Sequence, residues 1–307
     1  MNDKCPVCES TDFEIRGQYR AHHRMLKGLD RAECLNCGMF FATPMPSQLA
    51  IDDYNSSYFD TAHGGQNQSR LASAFFSGIA KLRVAHLRRY LIEHNIVVNS
   101  VMECGPGLGH FARNWLALIP NCVYYALETD QSCHKPLGNI GVTVVEEQSE
   151  LHGEKLDLVV MSHVLEHVAQ PADFISSSCR NLKKGGGLFI EVPCNDWKHK
   201  SLDEPHLLFF DKEPLRHLLS SQGFTNIELS YHGTAITELQ VNNPLKNLFT
   251  RVRNKLLSKG LVFPFGWRRK GMEALSIPIE RAAVAPFNAH IEPSEPAWWL
   301  RAVATKL

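Results

Sequence analysis

The chain has 307 residues, 44% of them hydrophobic, enough for one large domain with a small appendage. Lys plus Arg and Asp plus Glu both number 32, so the formal net charge is zero, which argues against a protein that lives by coating nucleic acid. No apolar run approaches the roughly 20 residues of a membrane span, and the first residues are polar with paired cysteines instead of an apolar leader. The expectation is a cytoplasmic protein without a membrane span.

Residues 1–45 are punctuated by cysteine, glycine and proline and are too short to bury a core unaided. Cys5-Pro-Val-Cys8 and Cys34-Leu-Asn-Cys37 form two CxxC knuckles, each able to point two thiolates at one centre. Gly38 suits the tight turn that follows a knuckle. The pattern predicts a zinc ribbon over 1–45; a redox dithiol pair is the alternative. Four protein ligands leave zinc no open position, so the Zn²⁺ would be structural. The odd total of nine cysteines fits metal binding in a reducing compartment better than disulfides.

Residues 46–69 are polar and aromatic and read as a connector. From Arg70 to Glu93, Leu71, Phe75, Ile79, Leu82, Leu87 and Leu91 recur near helical spacing. Short apolar runs then alternate with helical stretches: Ser100–Cys104, Val123–Leu127, Val142–Val145, Leu156–Met161 and Leu188–Val192. Strands alternating with helices imply an α/β fold with a doubly wound, parallel sheet. Two later strands are expected at Asn226–Tyr231 and Trp298–Ala304. Residues 235–296 break the repeat and are expected to be an insertion within a domain spanning 70–307. Its stretch 246–270 holds Lys246, Arg251, Arg253, Lys255, Lys259, Arg268, Arg269 and Lys270 and no acid.

After the strand ending at Cys104 comes Gly105-Pro-Gly107-Leu-Gly109, then a helix opening near His110. Glycines there let the backbone turn sharply and approach a ligand closely. Glu128 closes the next strand, where an acid can take both hydroxyls of a ribose. A nicotinamide dinucleotide site is the rival, but Glu103 stands where a pyrophosphate would be repelled.

The segments Glu103-Cys-Gly-Pro-Gly-Leu-Gly109, Glu128, Leu156-Asp-Leu-Val159, His163-Val-Leu-Glu-His-Val168, Lys184-Gly-Gly-Gly-Leu-Phe-Ile190 and Phe209-Phe-Asp-Lys-Glu-Pro-Leu215, with Gly223-Phe224, together resemble the class I methyltransferases. The ribbon followed by Met39–Pro46 and Tyr58-Phe59 resembles their subgroup with a zinc-ribbon head, often associated with sugar, polysaccharide or secondary-metabolite modification. The resemblance implies a Rossmann-like seven-strand, mostly parallel sheet and S-adenosyl-L-methionine as cofactor. It places Glu103 against the cationic methionine part, Gly105, Gly107 and Gly109 along the cofactor, Glu128 on the ribose and Glu147 on the adenine side. His163 would lie beside the methionine moiety and its transferable methyl.

The cofactor supplies the reactive sulfonium, so the protein must align the acceptor, exclude water and often remove a proton. His206, in a loop past the fifth strand, is the candidate base, with Glu204 expected to orient it. A structural histidine is the bland alternative, and His163 is the next candidate. Cys194 after Pro193 raises thiolate attack, though the other motifs of that chemistry are missing. The expected acceptor is a small molecule or activated sugar, methylated on O, N or C. The rivals are an RNA methyltransferase that uses the ribbon for binding, and an inactive scaffold.

Overall fold

The computed structural model of the protein describes residues 4–55, 70–146, 148–151, 153–241, 243–259 and 291–307. In chain order the elements are β1 (Phe13–Gln18), β2 (Asp30–Cys34), β3 (Phe40–Thr43), α1 (Gln48–Asn55), α2 (Arg70–Glu93), β4 (Ser100–Cys104), α3 (His110–Leu116), β5 (Val123–Leu127), α4 (His134–Gly138), β6 (Thr143–Val145) and β7 (Leu156–Ser162). They continue with α5 (Pro171–Ser178), β8 (Leu182–Pro193), β9 (Leu208–Phe209), α6 (Lys212–Ser221), β10 (Phe224–Ala235), α7 (Ile236–Gln240), α8 (Pro244–Ser258) and β11 (Ala297–Lys306).

The main sheet has seven strands in the order β10-β11-β8-β7-β4-β5-β6. The run from β8 to β6 is parallel, and β11 enters antiparallel between β8 and β10. β7 is buried along nearly its whole length, as expected of a strand covered on both faces. On one face Leu87 and Tyr90 of α2 and Phe111 and Trp115 of α3 pack on Tyr124 and Phe189. On the other, Ile175, Leu215 and Leu218 pack on Met161 and Ile190. The seven-strand, mostly parallel sheet that the resemblance implied is present. Strand order reverses between β4 and β7, and the crevice beyond the carboxyl ends of strands at such a switch point is where open α/β sheets bind ligands.

The N-terminal segment forms a second, antiparallel sheet in the order β1-β2-β3-β9. Its last member comes from far along the chain: Phe40 and Phe41 pair with Phe209 and Leu208. An exposed edge on β3 would be a pairing liability, and β9 covers it. The buried side chains of the head (Cys5, Leu26, Met39, Phe41) lie in one cluster with Met161, Ile190 and Phe209. The head therefore shares the core of the larger domain, which is how a segment so short comes to be packed.

Of the basic stretch 246–270, residues 246–259 are described, while Arg268, Arg269 and Lys270 lie outside the described residues. Lys246 pairs with Glu238, Arg253 is buried, and Arg251, Lys255 and Lys259 are exposed. No helix among the described residues is long and apolar enough to cross a membrane.

Candidate active site

β4 and β5 end side by side, and the loop leaving β4 turns through Gly105, Gly107 and Gly109 at φ of 65°, 55° and 70°. Only glycine takes this left-handed conformation without strain. Space agrees with conformation: a Cβ on Gly105 would stand 2.6 Å from Val164 Cγ2, and one on Gly109 2.8 Å from Leu137 and Ile140. The Gly107 N–H donates to Glu128 Oε2 and the Asp130 N–H to Oε1, both at 2.9 Å. The acid that closes β5 is thereby locked to the glycine turn. Burial pushes the Glu128 carboxyl above its ordinary pKa, against the pull of those two N–H groups. Glu103, on the buried end of β4, accepts a hydrogen bond from the Tyr124 hydroxyl at 2.6 Å. Burial dominates there and raises its carboxyl to about 7.

Val164 packs on Gly105, which brings the turn after β7 against the glycine loop. His163 begins that turn at φ 58°, a conformation few non-glycine residues adopt, and it sits between two carboxylates. Its Nδ1 is 3.2 Å from Glu166 Oε1 and its Nε2 3.2 Å from Glu191 Oε1. Burial alone would lower the imidazole pKa, but the two acids outweigh it and raise it. Glu191 is fully buried in β8, with Arg83 Nε donating at 2.8 Å and Arg301 Nε at 2.5 Å. Burial acts upward on this carboxyl, yet the two guanidinium groups hold it well below the usual range.

On the far side of Glu166 lie His167 and His206, and the three offer ligand atoms within 4.8 Å of one another. Burial would raise the Glu166 carboxyl, but His163, His167 and His206 hold it at about 2. His206 is 6% exposed, meets the His167 ring edge-on, and donates from Nδ1 to Asp196 Oδ2 at 2.8 Å.

The expectation that Glu204 orients His206 is wrong. Its carboxylate instead accepts the backbone N–H groups of His22 and His23 at 2.8 and 2.9 Å, and Asp196 is the partner of His206. Sequence proximity misled because two donated N–H groups from the head satisfy Glu204 locally. Cys194 is completely buried and burial drives its thiol strongly upward, the opposite of what thiolate attack requires. Glu147 lies outside the described residues. Asp196, Glu191, Arg83 and Arg301 escaped the sequence reading. A glutamate within the apolar run Leu188–Val192 was the available signal, since unpaired acids are almost never fully buried.

In the head, Cys5 and Cys37 Sγ are 3.6 Å apart, Cys8 and Cys34 Sγ 3.5 Å, and all four sulfurs fall within 4.8 Å. Sulfurs about 2.3 Å from a tetrahedral zinc stand roughly 3.7–3.8 Å apart, so the four thiols fit a structural Zn²⁺. The head also grips the loop that carries His206. Arg20 and Arg31 both pair with buried Asp203, Arg20 donates to the Lys200 and Trp197 carbonyls, and the Tyr19 hydroxyl donates to the His206 carbonyl at 2.9 Å.

Residues 76–229 match the family model described as a methyltransferase domain. The chain belongs to this family, the S-adenosylmethionine-dependent methyltransferases of class I fold. Among solved structures it is similar to a SAM-dependent methyltransferase from Archaeoglobus fulgidus (17% identity, 81% of this chain and 98% of that one, TM-score 0.46). It is also similar to a possible histamine N-methyltransferase from Thermotoga maritima (17%, 76% and 100%, TM-score 0.42). A third is magnesium protoporphyrin IX methyltransferase from Synechocystis (16%, 60% and 88%, TM-score 0.42). No curated protein matches the chain.

Proposed function

We propose that this methyltransferase acts in the cytoplasm on a small-molecule or activated-sugar acceptor, and that its two half-sites meet at the switch point between β4 and β7. Glu128 takes the ribose hydroxyls of S-adenosylmethionine, Gly105, Gly107 and Gly109 line the cofactor, and Glu103 faces its cationic methionine end. The observation that carries this assignment is the turn of three left-handed glycines whose middle N–H meets Glu128 at 2.9 Å. Bound there, the cofactor supplies a methyl on a positively charged sulfur, a strong electrophile in its own right. The chain's residues have the remaining tasks. His163, pinned between Glu166 and Glu191, stands beside the methyl, and His206, oriented by Asp196, promotes loss of the acceptor proton.

A small acceptor is favoured by enclosure: Glu166 and His206 are buried, and the head holds the 196–209 loop down over them. A polymer would need that loop released. The nine cysteines, all free, suit a reducing compartment.

The test uses methyl-labelled cofactor with cell extract, followed by fractionation and mass spectrometry of labelled products. Label in the low-molecular-weight fraction is expected; label confined to RNA or protein overturns the acceptor assignment. With the acceptor identified, His206→Ala should slow turnover by roughly 10²–10⁴-fold while cofactor affinity stays within experimental error. The loss should shrink as pH rises and the acceptor ionises unaided. Full turnover of the variant between about pH 6 and 9 would leave His206 a structural residue.

A further inference from the structure

We infer that Glu166, His167 and His206 form a second metal site, distinct from the four cysteines, which takes a divalent first-row cation on the acceptor side of the cofactor. The inference rests on the proposed role of His206 and states how it is met: the imidazole acts as a ligand that carries a cation.

Glu166 is the first reason. It is completely buried, and its one close cationic partner is His163 Nδ1, 3.2 Å from Oε1, which leaves Oε2 without a hydrogen bond. A buried carboxylate oxygen without a donor is costly in general, and a cation on that side would satisfy it. The second reason is the setting of the two imidazoles. A ligating histidine characteristically gives its other ring N–H to a carboxylate or a backbone carbonyl, which fixes the tautomer and aims the ligating nitrogen. His206 gives Nδ1 to Asp196, leaving Nε2 as its ligating atom, and the His167 ring meets the His206 ring edge-on with its Nε2 3.9 Å from Glu166 Oε1. The second partner of His206 is thus already in place. The third is distance: ligand atoms within 4.8 Å of one another need to close by about 1–1.5 Å to sit around one ion at about 2.0–2.2 Å.

Another grouping, His86, His232 and Glu292, does not fit the same test. There His232 is hydrogen-bonded through both ring nitrogens, to Ser230 and to Arg301, and the guanidinium occupies the place of a cation.

Two nitrogens and one carboxylate suit Mn²⁺, Fe²⁺ or Zn²⁺, and three protein ligands leave positions open. The open side selects an acceptor with a hydroxyl. Bound to the cation, the hydroxyl loses its proton to water; its oxygen then forms the bond to the methyl carbon as the carbon–sulfur bond breaks, leaving a neutral thioether.

The experiment is titration of the zinc-loaded full chain with Mn²⁺, followed by loss of the free-ion EPR signal. Mn²⁺ is chosen because it does not compete for four thiolates. One Mn²⁺ per chain is expected beyond the zinc, weakened at least tenfold in Glu166→Gln and in His206→Gln. Zinc content and the folded-state circular dichroism at the assay temperature should be retained in both variants. Wild-type protein that binds no Mn²⁺ at millimolar concentration overturns the inference, as does equal binding in well-folded variants. If Mn²⁺ fails to bind while His206→Ala still slows methyl transfer, the cation is removed and the proposed function stands.

Discussion

At the scale of single residues, the proposed cofactor half is shaped by backbone conformation and the proposed acceptor half by charge. Glu128 offers two oxygens already fixed by the Gly107 and Asp130 N–H groups, so under the proposed function a ribose would meet a preorganised acceptor pair. Two charge-assisted hydrogen bonds worth about 1.5–3 kcal/mol each imply that Glu128→Ala weakens S-adenosylmethionine at least about 100-fold. Isothermal calorimetry checks this, and unchanged affinity removes Glu128 from the site. Glu103 leads to a pH prediction. Its carboxyl lies at about 7 in the folded chain, against about 4.3 for an unperturbed glutamate. Between those values the folded state holds the proton and the unfolded state does not, so this group's contribution to stability falls as pH rises from about 4 to about 7 and is level above. A cationic methionine end beside Glu103 would restore the charge and expel the proton. Cofactor binding at about pH 6.5 should therefore release protons, seen as a binding heat that varies with the ionisation enthalpy of the buffer. A heat independent of the buffer would place the cation elsewhere.

At the scale of elements, the contact of note is between the head and the loop before β9. Asp203 has no exposed side-chain surface, and its carboxylate holds Arg20 and the nearly buried Arg31. Removing one partner from a buried pair leaves the other charge unmatched, at a cost of about 3–5 kcal/mol. Asp203→Asn should lower unfolding stability by an amount of that order, read from denaturant titration. Amide exchange should rise selectively over residues 203–209 and the facing strand β3. A uniform rise across the sheet would mean that the pair has no particular hold on the loop. The same elements explain what could be read early. Strands β4, β5, β7 and β8 are apolar runs bounded by turn residues, and they appear as such in the sequence. β9 has two residues, no periodicity, and a partner far away in the chain, so nothing local announces it.

For the molecule as a whole, the proposed cofactor half and acceptor half of the site hang on different supports. The glycine loop and Glu128 are held by β4, β5 and α3, whereas the polar contacts of the head go to the 196–209 loop and its apolar side chains join the cluster of Met161, Ile190 and Phe209. Stripping zinc with a chelator should therefore leave cofactor affinity within about twofold, as for distant independent sites, while it unfolds the ribbon and frees the His206 loop. Cofactor calorimetry and amide exchange on the zinc-free protein test both halves; loss of cofactor binding would show the supports to be coupled. The class of fold, the glycine turn, Glu128 and the four cysteines were legible in the chain itself, because each depends on local spacing: a period of strand and helix, a φ only glycine accepts, two thiols on one knuckle. The partners of His206 and His163 were not. Asp196, Glu191, Arg83 and Arg301 come from separate elements and meet only when the sheet is assembled, and Glu204 was captured by the head. Periodicity and glycine conformation act along a few neighbouring residues, but a buried charge takes whichever opposite charge the packing brings within reach, and that choice belongs to the tertiary structure.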